Sequence, residues 1–219
     1  MKKLIALAAL TVAVSGGAVA AGEGAEAVAG PAAAAAASSE PKLALGYLMK
    51  QGGKLVFAPC RDRSYALLQD VSPGNEVTAA LNGIGLEAGK RLYVELFAVL
   101  DGNDLKASAL NFARVNTSCQ MPGGDTEVWR AAGNHPGWNL VAGGKAVTLT
   151  RANKKDVSVP YVPFTVAGNK TTFEGGQGAG KLTVHFDKGL CKADADTVFG
   201  WTATVTAGSD TVKGCAWQR

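Results

Sequence analysis

The alternation of apolar and polar residues between positions 42 and 115 predicts five short strands. In residues 43–47, leucine and tyrosine alternate with alanine and glycine, which is the period of a strand with one buried face. A longer alternation over residues 92–100 ends at Asp101-Gly102-Asn103, a sequence typical of a hairpin turn. The other three strands are predicted around residues 55–57, 65–68 and 105–115.

One helix is predicted between the third and the fourth of these strands. Ser72-Pro73 is typical of a helix start, with serine as the N-cap and proline in the first turn. Val77, Leu81 and Ile84 then follow at helical spacing. Three strands, a helix and two further strands is the order of a small OB-like barrel, which we predict for residues 42–120.

The second half of the chain, residues 126–219, has no helical period of useful length. Short β runs separated by glycine-rich turns are predicted instead, at residues 127–130, 138–141, 145–151, 164–166, 171–173, 181–187, 199–206 and 211–216. A linker at residues 121–125 joins this half to the first. The predicted fold class is mainly β: a small OB-like barrel followed by a second antiparallel β-barrel or meander domain. Each domain is expected to fold by itself.

The first forty residues resemble a leader and a tether. Residues 1–20 have a positive start, an apolar stretch and Ala18-Val19-Ala20, which together predict a signal peptide cleaved after Ala20. The alternative is an uncleaved membrane anchor. Residues 21–41 are mostly alanine and glycine, which bury little apolar surface, and are predicted to be a flexible tether. The chain is therefore expected to be periplasmic or secreted, with no membrane span after cleavage.

The charge of the chain is mildly basic, at a formal +4. Because the basic residues are scattered along the sequence, an ordinary solvated surface is the favoured interpretation, and a face that binds polyanions is the alternative. A nucleic-acid partner is not expected.

Four cysteines in an exported chain predict two disulfides, and the number alone allows three pairings. We predict Cys60–Cys119 and Cys191–Cys215, because each pair closes one β block. The alternative is a metal site, but metal sites usually carry close pairs such as CxxC, and this sequence has none. We predict neither a metal site nor a cofactor.

Three short motifs in the second half resemble a family of bacterial envelope proteins of unknown function, many of them lipoproteins. The family pattern GNEPxW, then CxD, then GCA is similar to residues 133–138 (GNHPGW), 191–194 (CKAD) and 214–216 (GCA). His135 stands where the family has glutamate, and Ala195-Asp196 stands where the family has Met-Ser. The family has no established catalytic residues, so the resemblance transfers none.

The first half is similar to the OB-type domain of NlpE-like envelope lipoproteins. The similarity lies in Gly46-Tyr47-Leu48, in Phe57 with Cys60, in the strand over residues 92–100 and in Cys119. The CxxC copper motif of NlpE is absent, so the resemblance implies no copper site here.

The glycine-rich segment 175–181 (GGQGAGK) imitates a phosphate-binding loop. Such a loop needs Ser or Thr after the lysine and a helix beyond it, whereas Leu182 begins an alternating strand pattern. We therefore predict a hairpin turn, with His185 on the solvated face of its second strand.

The candidate ligand or partner contacts are His135, Trp138 and Asp194. We predict that Trp138 anchors the core and that His135 is exposed. Asp194 and Asp196 are either a carboxylate pair for acid–base chemistry or, as we favour, caps of their own loop. The four tryptophans all lie in the second half, and a barrel core is favoured over an exposed aromatic platform.

No catalytic constellation emerges from these residues. The expected function is an exported cell-envelope protein that acts as a non-enzymatic binding or structural accessory module, with an envelope protein or glycan as partner. The alternative is a hydrolase acting on an envelope polymer. A cleft with paired carboxylates or a His–Asp contact would favour the enzyme, and an aromatic face would favour the binder.

Overall fold

Residues 40–119 and 126–219 are described by the computed structural model of the chain. The predicted signal peptide (residues 1–20), nearly all of the predicted tether (21–41) and the predicted linker (121–125) lie outside the described residues. In the described part no helix is long and apolar enough to cross a membrane.

The first half forms a closed five-stranded barrel with the predicted element order. Its elements are β1 (Lys42–Gln51), β2 (Lys54–Pro59), β3 (Ala66–Asp70), α1 (Glu76–Asn82), β4 (Leu92–Asp101) and β5 (Asp104–Val115). Strand β1 pairs with β2 and β4, β4 pairs with β5, and β3 pairs antiparallel with β2. A parallel ladder between β3 and β5 closes the ring. The OB-like barrel is thus confirmed.

The helix of this barrel starts later than predicted. A 3-10 turn at Pro73–Asn75 precedes α1, and Gly74 and Asn75 have φ angles of 62° and 55°. Ser72 is the N-cap of this turn, and its hydroxyl also accepts a hydrogen bond from the Val77 N–H at 3.1 Å. Val77 and Leu81 are fully buried, so α1 packs its apolar face into the barrel core.

The second half is an antiparallel meander of nine strands. They are β6 (Glu127–Asn134), β7 (Gly137–Gly143), β8 (Ala146–Arg151), β9 (Lys154–Pro160), β10 (Thr165–Ala167), β11 (Lys170–Gly175), β12 (Leu182–Lys192), β13 (Thr197–Ala207) and β14 (Asp210–Gln218). Neighbours along the chain pair with each other except for β9 and β10, and the last strand β14 returns to pair with the first strand β6. The sequence patterns missed β9. The meander is confirmed.

The core of the second half is aromatic. Trp129, Trp138, Phe173, Phe186 and Trp201 are all less than a tenth exposed and pack together. The Trp129 ring meets Phe186 at 4.9 Å and Trp201 at 5.0 Å between centroids. The interpretation of these three tryptophans as barrel core is thus confirmed, whereas Trp217 is only half-buried and lies elsewhere.

A short ladder joins the two halves. Phe112, Ala113 and Arg114 of β5 pair with Phe199, Val198 and Thr197 of β13, so one sheet order runs through both halves. Val198 packs into the core of the first barrel. The two blocks therefore share hydrogen bonds and apolar contacts. Their boundaries as separate domains, at 42–120 and 126–219, stay a prediction.

Both predicted disulfides are formed. Cys60–Cys119 has a Cα–Cα distance of 5.8 Å and Cys191–Cys215 one of 5.5 Å. All four cysteines contact one aromatic cluster between the halves, built on Tyr93, Phe112 and Phe199. The described residues include no free cysteine.

Candidate functional site

A cleft of about 520 Å³ lies beside the ladder that joins the two halves. Its walls come from the turn between β6 and β7, the end of β12, the start of β13 and the last residues of β14, and β5 adds Phe112 and Arg114. We call this space the junction cleft.

The three motifs that carry the family resemblance converge on the junction cleft. Residues 133–135, 191–194 and 214–215 all line it, although the first and the last of them are 82 residues apart along the chain. Two of the predicted contacts, His135 and Asp194, lie in its wall and are exposed. The fold thus brings together residues that sequence reasoning could connect only through the resemblance.

Trp138 lies behind the wall of the cleft and serves as a core anchor, as predicted. Its side chain is 5% exposed, and its Nε1–H donates to the Lys213 carbonyl at 3.1 Å. A Cβ at Gly133 would overlap the indole nitrogen, and a Cβ at Gly214 would lie 2.8 Å from Cζ2. The two motif glycines therefore make room for the indole, and this part of the motif is structural.

The Cys191–Cys215 disulfide fixes another wall. It ties the end of β12 to β14, just beyond a register shift between Lys188 and Cys191. With this bond and the anchored Trp138 indole, the backbone around the cleft is held from both sides. A preformed wall of this kind lowers the ordering cost of binding a ligand.

Aromatic rings line the inner part of the cleft. The Trp217 ring lies 5.0 Å from Phe199 and stacks with Phe112 at 5.9 Å, measured between centroids. Trp217 is half-buried, whereas Phe112 and Phe199 are buried. Sequence patterns could not place these rings together, because Phe112 on β5 is far along the chain from Phe199 and Trp217, which lie on the paired strands β13 and β14.

The outer part of the cleft is basic. Arg114, Lys192 and Lys213 are exposed cleft residues from three different strands, and none forms an ion pair with a described residue. The Lys192 ammonium donates to the Gly83 carbonyl at 3.3 Å. The one carboxylate among the lining residues is Asp194, so positive charge exceeds negative charge there.

The two aspartates of the CKADAD loop have separate roles. Asp194 Oδ1 accepts the backbone N–H of Asp196 at 2.9 Å, which is the loop cap that we favoured. The Asp196 carboxylate pairs with Lys90 at 3.4 Å. No hydrogen bond among the described residues joins His135 to Asp194, so the geometry does not form a His–Asp pair.

A buried hydroxyl adds a further polar group to the cleft wall. Thr197 lines the cleft and is 5% exposed, and its Oγ1 has no hydrogen-bond partner among the described residues. A buried hydroxyl without a partner is costly, but this oxygen is almost inaccessible to solvent, so a ligand in the cleft would reach it only after the wall moves.

The remaining candidates behave as the sequence predicted. Residues 175–182 connect β11 to β12 as a hairpin, with Gly175 opposite Leu182 and a 3-10 turn at Gly178–Gly180. His185 is exposed on β12. The phosphate-loop resemblance is therefore coincidental.

A second concavity, of about 620 Å³, opens on the first barrel. It includes Leu43, Tyr65 and Leu100, and the last two are 69% and 65% exposed. Although it is larger than the junction cleft, it contains no residue of the three second-half motifs and no unpartnered buried polar atom. The junction cleft is therefore the better candidate.

A buried ionic network lies next to the aromatic cluster. Glu95 is 1% exposed and accepts hydrogen bonds from Tyr93 Oη at 2.8 Å and Asn111 Nδ2 at 2.7 Å, and Arg219 lies 3.5 Å away. Burial raises the pKa of Glu95 above its ordinary value, although Tyr93, Arg219 and Asn111 act in the opposite direction. This carboxylate does not line the junction cleft.

Comparison of the chain with protein-family models, with curated proteins and with solved structures finds no match. Within residues 40–119 and 126–219, no three His, Cys, Asp or Glu side chains come together as a metal site would require.

Proposed function

We propose that the chain is an exported, non-enzymatic binding protein of the cell envelope and that the junction cleft is its ligand site. The observation that carries this proposal is the composition of the cleft: cations without ion-pair partners above an aromatic floor. Such a combination of apolar surface and a few convergent polar groups is typical of ligand sites.

Export is supported by the chemistry of the cysteines. Two disulfides are typical of proteins that fold in an oxidising compartment. The predicted signal peptide points to the same class of location, which is the periplasm or the medium. An envelope glycan or an envelope protein is then the kind of partner within reach.

A hydrolase of an envelope polymer is the second candidate. It is supported by one observation, namely that His135 and Asp194 both line the same cleft. Against it, the Asp194 carboxylate holds its own loop, and general acid–base chemistry needs groups within hydrogen-bond reach of the substrate and of each other. The binding role is therefore favoured.

The experiment is cosedimentation of the disulfide-bonded chain with isolated envelope fractions. Ala193, an exposed residue in the cleft wall, is replaced by tryptophan to fill the cleft. The matched control is Ala152→Trp, at an exposed turn residue outside the cleft. We expect Ala193→Trp to lose binding and Ala152→Trp to keep it, whereas equal binding by both variants would exclude the cleft as the site.

The same fractions test the hydrolase. Release of reducing sugars or of new amino groups is followed over time with the unmodified chain and with His135→Ala. Release that depends on His135 would establish the enzyme and reject the proposed binding role. Binding without release is the expected result.

A further inference from the structure

We infer that the ligand of the junction cleft is an acidic saccharide, meaning a sugar that carries a carboxylate or a phosphate group. This inference rests on the proposed function, because it assigns a ligand class to the same cleft. It is carried by three features of the cleft: its charge, its aromatic floor and the exposed amide and carboxylate of its wall.

The charge of the cleft selects an anion. Arg114, Lys192 and Lys213 come from β5, β12 and β14, so the fold and not a local run of basic residues brings them together. Some basic side chains outside the cleft have carboxylate partners, such as Arg151 and Lys154, which both pair with Asp210. Cations that lack such partners attract an anionic ligand from a distance and hold it when it is bound.

The aromatic floor selects a ligand with a flat or ring-shaped apolar face. Trp217 is the half-buried member of the Phe112–Phe199–Trp217 group and lines the cleft. An indole has an apolar body with one polar N–H, so it suits ligands that are apolar on one side and polar at the edge. A sugar ring has that character, whereas a simple inorganic anion does not.

The polar groups of the wall suit the hydroxyls of a sugar. Asn134 offers an exposed amide and Asp194 an exposed carboxylate that can accept hydrogen bonds. The wall therefore contains both donors and acceptors beside the cations. A simple anion has no hydroxyl to donate to the Asp194 carboxylate, whereas a sugar has several.

Titration of the full disulfide-bonded chain with defined saccharides tests this inference. The probes are tetragalacturonate, glucose 6-phosphate, uncharged maltotetraose and inorganic phosphate. Affinity is measured by calorimetry, and the site is identified from the indole N–H signal of Trp217 in nuclear magnetic resonance spectra. We expect at least one acidic sugar to bind at Trp217 about tenfold or more tightly than maltotetraose and inorganic phosphate. The two acidic probes distinguish a carboxylate from a phosphate ligand.

Two variants, each with three basic residues replaced by glutamine, test whether charge in the cleft matters. In the first, Arg114, Lys192 and Lys213 are all replaced by glutamine. In the control, three exposed basic residues outside the cleft are replaced in the same way, namely Lys54, Arg63 and Lys145. We expect the first variant to bind the acidic sugar about tenfold or more weakly, and the control to keep its affinity within about twofold.

Several outcomes would overturn the inference. Equal losses in the two variants would show that attraction is unspecific, and inorganic phosphate binding as tightly as the sugars would show a site for anions only. Maltotetraose binding as tightly as the acidic sugars would remove the charge requirement but leave the proposed binding cleft standing. If no probe binds while Ala193→Trp still abolishes binding to envelope fractions, the ligand class is wrong and the proposed function survives.

Discussion

The indole of Trp138 lies between two glycines that come from opposite ends of the second half. Gly133 precedes it on β6 and Gly214 faces it from β14, and neither position has room for a Cβ. The hydrogen bond from the indole N–H to the Lys213 carbonyl then fixes the ring against β14. At the scale of single residues, the glycines of two of the three resemblance motifs are thus explained by packing around one side chain.

Trp138→Ala is therefore expected to cost about 3–5 kcal/mol of unfolding free energy, because it empties a buried site and leaves the Lys213 carbonyl without its donor. His135→Ala, three residues away and exposed, is expected to change stability by no more than about 0.5 kcal/mol. Urea unfolding of the two variants and the natural chain measures both free-energy changes. It is followed by far-ultraviolet circular dichroism, which reports the backbone and does not rely on tryptophan fluorescence. A neutral Trp138→Ala would mean that the indole is not a core anchor.

Gly214→Ala tests the glycines themselves. The added methyl would overlap the Ala132 carbonyl oxygen and lie 2.8 Å from Trp138 Cζ2, so we expect a loss of about 1–3 kcal/mol. Gly137→Ala is the matched control in the same motif, because a Cβ there meets nothing within 4 Å and its φ is not positive. Equal stability of the two variants would show that the strands move apart without cost.

At this scale the sequence predicts some site residues and misses others. The buried position of Trp138 and the exposed position of His135 were predicted from the motif that contains them. The two disulfides were predicted because each pair of cysteines closes one β block. Arg114 and Thr197 could not be singled out as lining residues, because each occupies an ordinary strand position, and nothing in the sequence distinguishes Trp217 from the other three tryptophans. These residues line a common cleft only because the fold brings β5, β13 and β14 together.

At the scale of strands and helices, elements with a regular hydrophobic pattern were predicted, and a strand without such a pattern was missed. The OB-like order followed from alternation, a helical period and one hairpin signal. Strand β9 was missed because its first three residues, 154–156, are all charged and it ends in Pro160, although Val159 is buried. Charged residues and proline at a strand that pairs on one side protect a sheet edge, and they also hide the strand from pattern analysis.

A bulge in β5 places a side chain against the end of β14. Asn111 lies at a register shift between β4 and β5, and its carboxamide bonds both the N–H and the C=O of Gln218 at 2.9 Å. The side chain thus replaces a backbone ladder between β5 and the end of β14. Its amide also donates to Glu95 at 2.7 Å, which places a buried carboxylate at this contact.

Because Glu95 is buried, the stability of the folded chain is expected to depend on pH. Burial raises the pKa of Glu95 above its ordinary 4.5, so the folded chain holds this proton more tightly than the unfolded chain does. Between the unfolded and the folded pKa, the contribution of Glu95 to stability therefore falls as pH rises. We expect the stability of the natural chain relative to Glu95→Gln to be higher at about pH 4 than at about pH 8. Paired urea titrations at the two pH values measure the difference, and the opposite sign would contradict the raised pKa.

At the scale of the whole molecule, the two halves share an interior. Tyr93 and Phe112 of the first half pack with Phe199 and Cys215 of the second, and Val198 enters the first core. Arg219 reaches Glu95 across the same boundary. The sequence predicted two separate blocks and did not indicate this shared cluster, because its members from the two halves are 87 to 122 residues apart along the chain.

Separating the halves tests how much this shared interior contributes. Each half has its own core and disulfide, so residues 42–120 and 126–219 are each expected to unfold cooperatively when produced in an oxidising compartment. Separation exposes Phe112 and Phe199 and removes Arg219 from Glu95, so both midpoints should lie below that of the full chain. Thermal melts measure all three, and a mixture of the two pieces should recover part of the loss. Loss of cooperative unfolding in either piece would mean that the chain is one fused fold, and midpoints equal to that of the full chain would mean that the shared cluster adds no stability.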